Sequence, residues 1–170
     1  KKIKIKNCNP DHLGALISIL ESIGVKVKKG ANWISSARPK ELSSSDLKTR
    51  EYPGFATDLQ ALFTVLMTQA KGESIIFETV FDGRLNYAED LNRMGAKITP
   101  LDAHRILVRG PTPLRGREIE SPDLRAGLAF VFAALIANGE SAVRNIYQID
   151  RGYEKIEERL QKIGADIKRI

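Results

Sequence analysis

The chain has 170 residues, 42% of them hydrophobic and 28% charged, and carries a net charge of +6. That composition is typical of a soluble globular protein with one ordinary core, and no stretch approaches the ~20 apolar residues of a membrane span. The single cysteine, Cys8, excludes an internal disulfide and suits a reducing cytosol, so a cytoplasmic location is expected.

Residues 2–7 alternate as a strand, with Ile3 and Ile5 on one face, a pattern unlike the basic-then-apolar layout of a signal peptide. Asn9 or Asp11, around Pro10, is the expected cap of a helix that runs to about residue 23. Its apolar positions Leu13, Leu16, Ile17, Leu20 and Ile23 follow helical spacing, and Gly24 ends it in the place of a left-handed cap. Residues 25–35 read as two short strands around Gly30, and residues 38–45 as a polar loop. A short strand and a Pro-Gly turn lead to a second helix, capped by Thr57 or Asp58 and closed by Gly72. A strand over 74–81, a helix over 87–95, a hairpin over 96–110 and a short strand over 117–120 follow. Residues 122–138 are apolar on nearly every side and predict a helix buried all round. The chain closes with a predicted strand at 141–149, a helix at 153–164 and a last strand at 165–170.

The sequence repeats. LESIGVKV, LNRMGAKI and LQKIGADI share one pattern, with glycines at 24, 95 and 164, spaced 71 and 69 residues apart. A second pattern joins residues 57–74 to 122–141, with Asp58 and Asp123 separated by 65 positions and Gly72 and Gly139 by 67. A third copy of this second pattern is expected before the first glycine and is not found. Together with the absence of a starting methionine, this predicts a piece of a larger protein. The expected organisation is one domain over 1–170, in units of roughly 1–50 (partial), 51–115 and 116–170, each βαβαββ after a circular shift. Such units predict an α/β or α+β fold with sheets outside and the most apolar helices inside. Part of that core is expected to be bare, and upstream residues or a second copy of the chain are the candidate covers.

The candidate chemical groups lie near helix starts and strand ends. Asp58 is either a helix cap, as its repeat partner Asp123 suggests, or a carboxylate held at a site edge. Arg125 stands at a helix N-terminus, where the helix dipole disfavours a cation, so either a salt bridge or an anion is expected to face it. Arg151 in QIDRGYE and Arg84 in VFDGRLNY occupy corresponding corners and are candidates for phosphate or carboxylate. For Arg151 the alternative is a surface pair with Asp150. The two histidines and the lone cysteine have no ligand spacing, so no metal is expected, and no cofactor is implied. No phosphate-cradling glycine loop or nucleophile elbow is present, and the lysines and Trp33 form no RNA-binding aromatic patch.

The strings FATDLQALFTVL, FETVFDGRLNYAEDLNRMGA, SPDLRAGLAFVFAALIANGES and IYQIDRGYEKIEERLQKIGADI resemble the UDP-N-acetylglucosamine 1-carboxyvinyltransferase family of enolpyruvyl transferases. The resemblance runs along the whole chain and weakens only over 38–50. 5-Enolpyruvylshikimate-3-phosphate synthase shares that fold and matches less well at IDRGYE. The resemblance implies an inside-out α/β barrel built from three-unit domains. It also implies transfer of enolpyruvate from phosphoenolpyruvate to the 3-hydroxyl of UDP-N-acetylglucosamine, the first committed step of peptidoglycan synthesis. Asp58 then matches the proposed general base and Arg151 an arginine that reaches phosphoenolpyruvate as the domains close. Val80 matches a backbone contact to the sugar nucleotide and Phe81 its aromatic neighbour; Arg84, Asp123 and Arg125 match residues of the same cleft. The family's Lys-Asn pair and reactive-cysteine loop have no counterpart, and Cys8 does not match that cysteine. The chain by itself is therefore expected to be inactive. Two competing readings are a basic nucleic-acid-binding module and a dimerising structural domain. The unpatterned lysines speak against the first, so neither nucleic acid nor membrane is the expected partner.

Overall fold

The computed structural model describes residues 2–170. The first unit is a three-stranded antiparallel sheet of order β1-β3-β2, made of β1 (Lys2–Lys6), β2 (Lys26–Gly30) and β3 (Trp33–Ala37). Helix α1 (Gly14–Ser22) follows a 3-10 turn, Pro10–Leu13, whose cap is Asn9: its side chain accepts from the Asp11 amide. Gly24 then turns the chain at φ 97°, a conformation that costs a residue with a Cβ.

The second unit has strands β4 (Leu47–Lys48), β5 (Gly72–Phe77), β6 (Lys97–Pro100) and β7 (Arg105–Gly110), in the order β4-β5-β7-β6. Its helices are α2 (Gln60–Met67) and α3 (Tyr87–Arg93). The order β5-β7-β6 repeats β1-β3-β2, and Gly95 turns at φ 104° where Gly24 does. The third unit pairs β8 (Glu118–Glu120) with β9 (Ala142–Arg144) in parallel, as β4 pairs with β5. Its helices are α4 (Leu124–Ile136), α5 (Tyr147–Asp150) and α6 (Ile156–Gln161).

Helices α2 and α4 pack on each other, and α2 also packs against β5 and β7. The sheet around β5 is two-faced in consequence: Ser74, Ile76, Ile98, Ile106 and Val108 point into the core, while Glu73, Lys97, Arg105 and Arg109 face out. Thr68, Gln69 and Thr112 tie the end of α2 to the segment after β7: the Thr112 amide donates to Thr68 O at 2.8 Å, and Gln69 Nε2 to Thr112 O at 3.0 Å.

One expectation holds and three are corrected. Ile3 and Ile5 do share a face, but that face is open: Ile5 is 58% exposed, whereas Ile76, at the corresponding place in β5, is fully covered by the core. Helix α2 packs against β5 and no helix of the described residues takes that place over β1. Helix α4 is not buried all round, since Phe132 and Ile136, one turn apart, are exposed along one stripe. Residues 147–150 are helical rather than extended, because β9 finds a partner only as far as Glu120↔Arg144 and left-handed Asn145 then redirects the chain. Residues 165–170 form no strand, although Arg169 pins them by salt bridges to Asp150 and Glu157.

Candidate active site

Asp58 lies in the 3-10 turn Thr57–Leu59 that leads into α2, and its side chain caps neither the turn nor the helix. It points instead toward other elements. Arg125 Nε donates to Asp58 Oδ1, and Arg84 Nη1 lies 3.4 Å from the same oxygen. No donor among the described residues engages Oδ2. The Asp58 side chain is 58% exposed, while those of Arg125 and Arg84 are 31% and 20% exposed, so the arginines back a carboxylate that faces solvent. The hydrogen bond from Arg125, with the positive charges of both guanidinium groups, outweighs partial burial and holds the Asp58 carboxyl below its usual range.

The cation at the start of α4 is thereby explained. Arg125 is disfavoured by the helix dipole but pairs with a carboxylate 67 residues away. Asp123 plays the other part. Its Oδ1 accepts from the Arg125 amide at 2.7 Å and from the Ala126 amide at 3.1 Å, which makes it the cap of α4. The repeat thus predicts a cap correctly at Asp123 and incorrectly at Asp58. Replacing Asp123 by alanine is expected to destabilise the chain by about 1 kcal/mol, measured by urea unfolding.

Val80 and Phe81 stand beside this pair. Both amides donate to Glu78 Oε1, at 2.8 and 3.2 Å, so the carbonyl is the backbone group Val80 has left to offer a ligand. The Arg84 guanidinium lies 3.9 Å from the centre of the half-exposed Phe81 ring. Arg84, Asp123 and Arg125 line one small cleft together with Thr57, Gln60 and Tyr87. Gln60 Nε2 is buried there without a hydrogen-bond partner among the described residues. The Tyr87 phenol, held by Gln60 and Thr64, is pushed well above its ordinary pKa by burial.

Arg151 does not join the cluster. It is exposed at the end of α5, and Nη1 donates to Gln148 Oε1 at 3.1 Å. The expected Asp150–Arg151 pair is not formed: Asp150 accepts from Arg169 at 2.7 and 2.9 Å. Tyr153, two residues further, does feel the site. Its phenol is raised first by burial and then by the negative charge of Asp58. Gly152 allows this approach, since a Cβ there would stand 2.8 Å from Leu124 at the start of α4.

Several residues of this arrangement, Gln60 and Tyr87 among them, are not site candidates from sequence. Tyr153 sits in the DRGYE string, which marks it only as part of a pattern. Thr57 presents itself in the sequence only as a cap. Glu78 carried a usable signal: strand alternation continues Ser74 and Ile76 to Glu78, which puts a charge where an apolar residue is expected. A cavity of about 420 Å³ elsewhere, between residues 38–42 and Lys71, contains none of these groups. No group of three or more potential metal ligands occurs among the described residues, and no helix there is long and apolar enough to cross a membrane.

The α/β fold of repeated units is that of an enolpyruvyl transferase domain. The chain belongs to the EPSP synthase (3-phosphoshikimate 1-carboxyvinyltransferase) family, which it matches over residues 1–160. It is 45% identical over 168 residues to the UDP-N-acetylglucosamine 1-carboxyvinyltransferase of Koribacter versatilis, covering 99% of this chain and 39% of that protein. The enzyme of the same name from Acidobacterium capsulatum is 46% identical, with 98% and 38% covered. Among solved structures, the enolpyruvyl transferase NikO from Streptomyces tendae superposes with a TM-score of 0.90 at 28% identity, over 99% of this chain and 40% of that one. EPSP synthase from Acinetobacter baumannii has the same fold, with a TM-score of 0.74 at 17% identity over 99% and 40%. The chain therefore spans about 40% of the length of the relatives it matches.

Proposed function

We propose that the complete polypeptide transfers the enolpyruvyl group of phosphoenolpyruvate to the 3-hydroxyl of UDP-N-acetylglucosamine, a step toward peptidoglycan, and that this chain supplies one wall of the site. The observation that carries the reading is the Asp58 carboxylate, charged and open at Oδ2 between Arg84 and Arg125. The names of the relatives at about 45% identity supply the acceptor. In this reading the sugar hydroxyl oxygen bonds to C2 of phosphoenolpyruvate, its proton passes to Asp58, and C3 takes up a proton. Loss of the C3 proton and expulsion of phosphate then restore the double bond, so no oxidant or reductant is needed. A carboxylate is suited to the first transfer because its free oxygen can accept a hydrogen bond from the hydroxyl and it is already ionised at neutral pH. The Val80 carbonyl and the Phe81 ring border the sugar nucleotide. Arg151, exposed and bonded through one nitrogen to Gln148, has donors left for the carboxylate or phosphate of phosphoenolpyruvate. Both substrates are polar and phosphorylated, which fits action in the cytoplasm.

The test is phosphate release from phosphoenolpyruvate by the complete polypeptide, with UDP-N-acetylglucosamine and with shikimate 3-phosphate as alternative acceptors. Turnover with the sugar nucleotide alone is expected; turnover with shikimate 3-phosphate alone would assign the other substrate of the family. The isolated 170-residue chain is expected to release no phosphate with either acceptor.

A further inference from the structure

We infer that Glu78 and Thr57 are positioning residues of this site, holding the Arg84 guanidinium from its edge and its face so that it backs Asp58 in one geometry. The inference rests on the role proposed for Asp58.

Glu78 is an unusual group to find where it is. Its side chain follows β5 into the core, and the residue is 1% exposed. It has no salt-bridge partner among the described residues. A buried carboxylate without a cation is tolerated only when hydrogen bonds replace its lost hydration. Four donors do so. Thr49 Oγ1 at 3.0 Å and the amides of Val80 and Phe81 serve Oε1, and Thr57 Oγ1 at 2.7 Å serves Oε2.

Two of those four bonds lead to Arg84. The Thr57 hydroxyl has one proton, and it is committed to Glu78. Toward Arg84 Nη1, 2.7 Å away, Thr57 is therefore an acceptor only. Donating its proton polarises the hydroxyl and makes it a better acceptor. The second route runs through Phe81: its amide is held by Glu78 Oε1, and its ring lies beneath the guanidinium, 3.9 Å from centre to Cζ. One buried carboxylate thus fixes both an edge contact and a face contact of the same arginine. Arg84 then meets Asp58 Oδ1 and leaves Oδ2 for the substrate hydroxyl. A structural role confined to the 78–81 turn would require the Thr49, Val80 and Phe81 bonds but not the Thr57 relay.

The charged and titratable groups facing Asp58 are Arg84 from the loop before α3, Arg125 from α4 and Tyr153 from the segment between α5 and α6, with Glu78 behind Thr57. If Thr57 no longer holds Arg84, Asp58 loses part of the positive field that keeps it ionised, and the acid limb of activity moves to higher pH.

The experiment compares Thr57→Val, Thr57→Ser, Glu78→Gln and Asp58→Asn in the complete polypeptide, by phosphate release across a pH series. Thr57→Val is expected to lower kcat/KM by roughly ten- to a hundredfold, as a misplaced catalytic group does. Its acid limb should rise by about half a pH unit or more. Thr57→Ser keeps the hydroxyl and should return both readouts to within about threefold of the parent. Glu78→Gln should shift in the same direction as Thr57→Val; if it does not fold, Thr57→Val carries the test, since it removes one half-buried hydroxyl. A Thr57→Val protein with an unmoved acid limb, or one that Thr57→Ser fails to rescue, overturns the inference. An inactive Asp58→Asn beside a parent-like Thr57→Val overturns it alone. A fully active Asp58→Asn overturns the proposed function and this inference with it.

Discussion

Asp58→Asn in the complete polypeptide is expected to lower kcat for enolpyruvyl transfer by about 10²–10⁴-fold while KM changes only a few-fold. Asparagine keeps the shape of the side chain and an oxygen for Arg125 and Arg84, so the local packing should survive. What it removes is the ability to take a proton at Oδ2. A loss in kcat with KM spared is the signature of a group used in the transition state rather than in binding. The pH dependence provides a second readout. The Asp58 carboxyl is held below its usual range, so it is ionised from mildly acidic pH upward, and activity falls only as pH drops through that lowered value. Removing a cation raises the value. Arg125→Gln should therefore move the acid limb of kcat/KM to higher pH, whereas a purely structural role for Arg125 would lower activity at all pH values alike. The same sign applies to stability: whatever the Asp58–Arg125 pair contributes is present above the unfolded carboxyl pKa and is lost as pH falls through the folded one. That contribution is small because the Asp58 side chain is more than half exposed.

The largest stability effect is expected at Phe130. It is fully buried on α4, among Ala126, Ala129 and Ala133 of its own helix and the core contributed by α2. Truncation to alanine should cost about 3–5 kcal/mol, because the small neighbours cannot collapse into the space left behind. Phe132, two positions along, is 38% exposed, and its truncation should cost less than about 1 kcal/mol. Urea midpoints of the two variants check the contrast. Equal losses would mean that the stripe bearing Phe132 and Ile136 is covered in solution.

That pair of phenylalanines shows where reading the sequence stops. Residues 124–136 are so uniformly apolar that periodicity identifies a helix but cannot orient it. The sheet around β5 was far more legible. Alternation separates Ile76, Ile106 and Val108 from Glu73, Arg105 and Arg109, and the structure places them on opposite faces. The turn glycines 24, 95 and 164 were legible too, and all three adopt positive φ. The end of the chain was less so. ADIKRI alternates like a strand, but strand pairing is a long-range property, and these residues have no sheet neighbour among the described residues.

The site divides in the same way. The repeat pattern alone determined that Asp58 and Asp123 stand at equivalent helix entries, and that Arg84 and Arg151 occupy corresponding corners. A cap is a local bond between a side chain and amides two or three residues on, so sequence spacing is enough to propose it, and at Asp123 it forms. Only the tertiary structure decided that Asp58 does something else. Its partners are 26 and 67 residues away, brought together by the packing of α2 on α4 and by a relay through Thr57 that begins at a buried glutamate. Two aspartates equal in sequence context thus became a cap and an arginine-paired carboxylate, because one meets its own helix and the other meets two arginines from elsewhere in the fold.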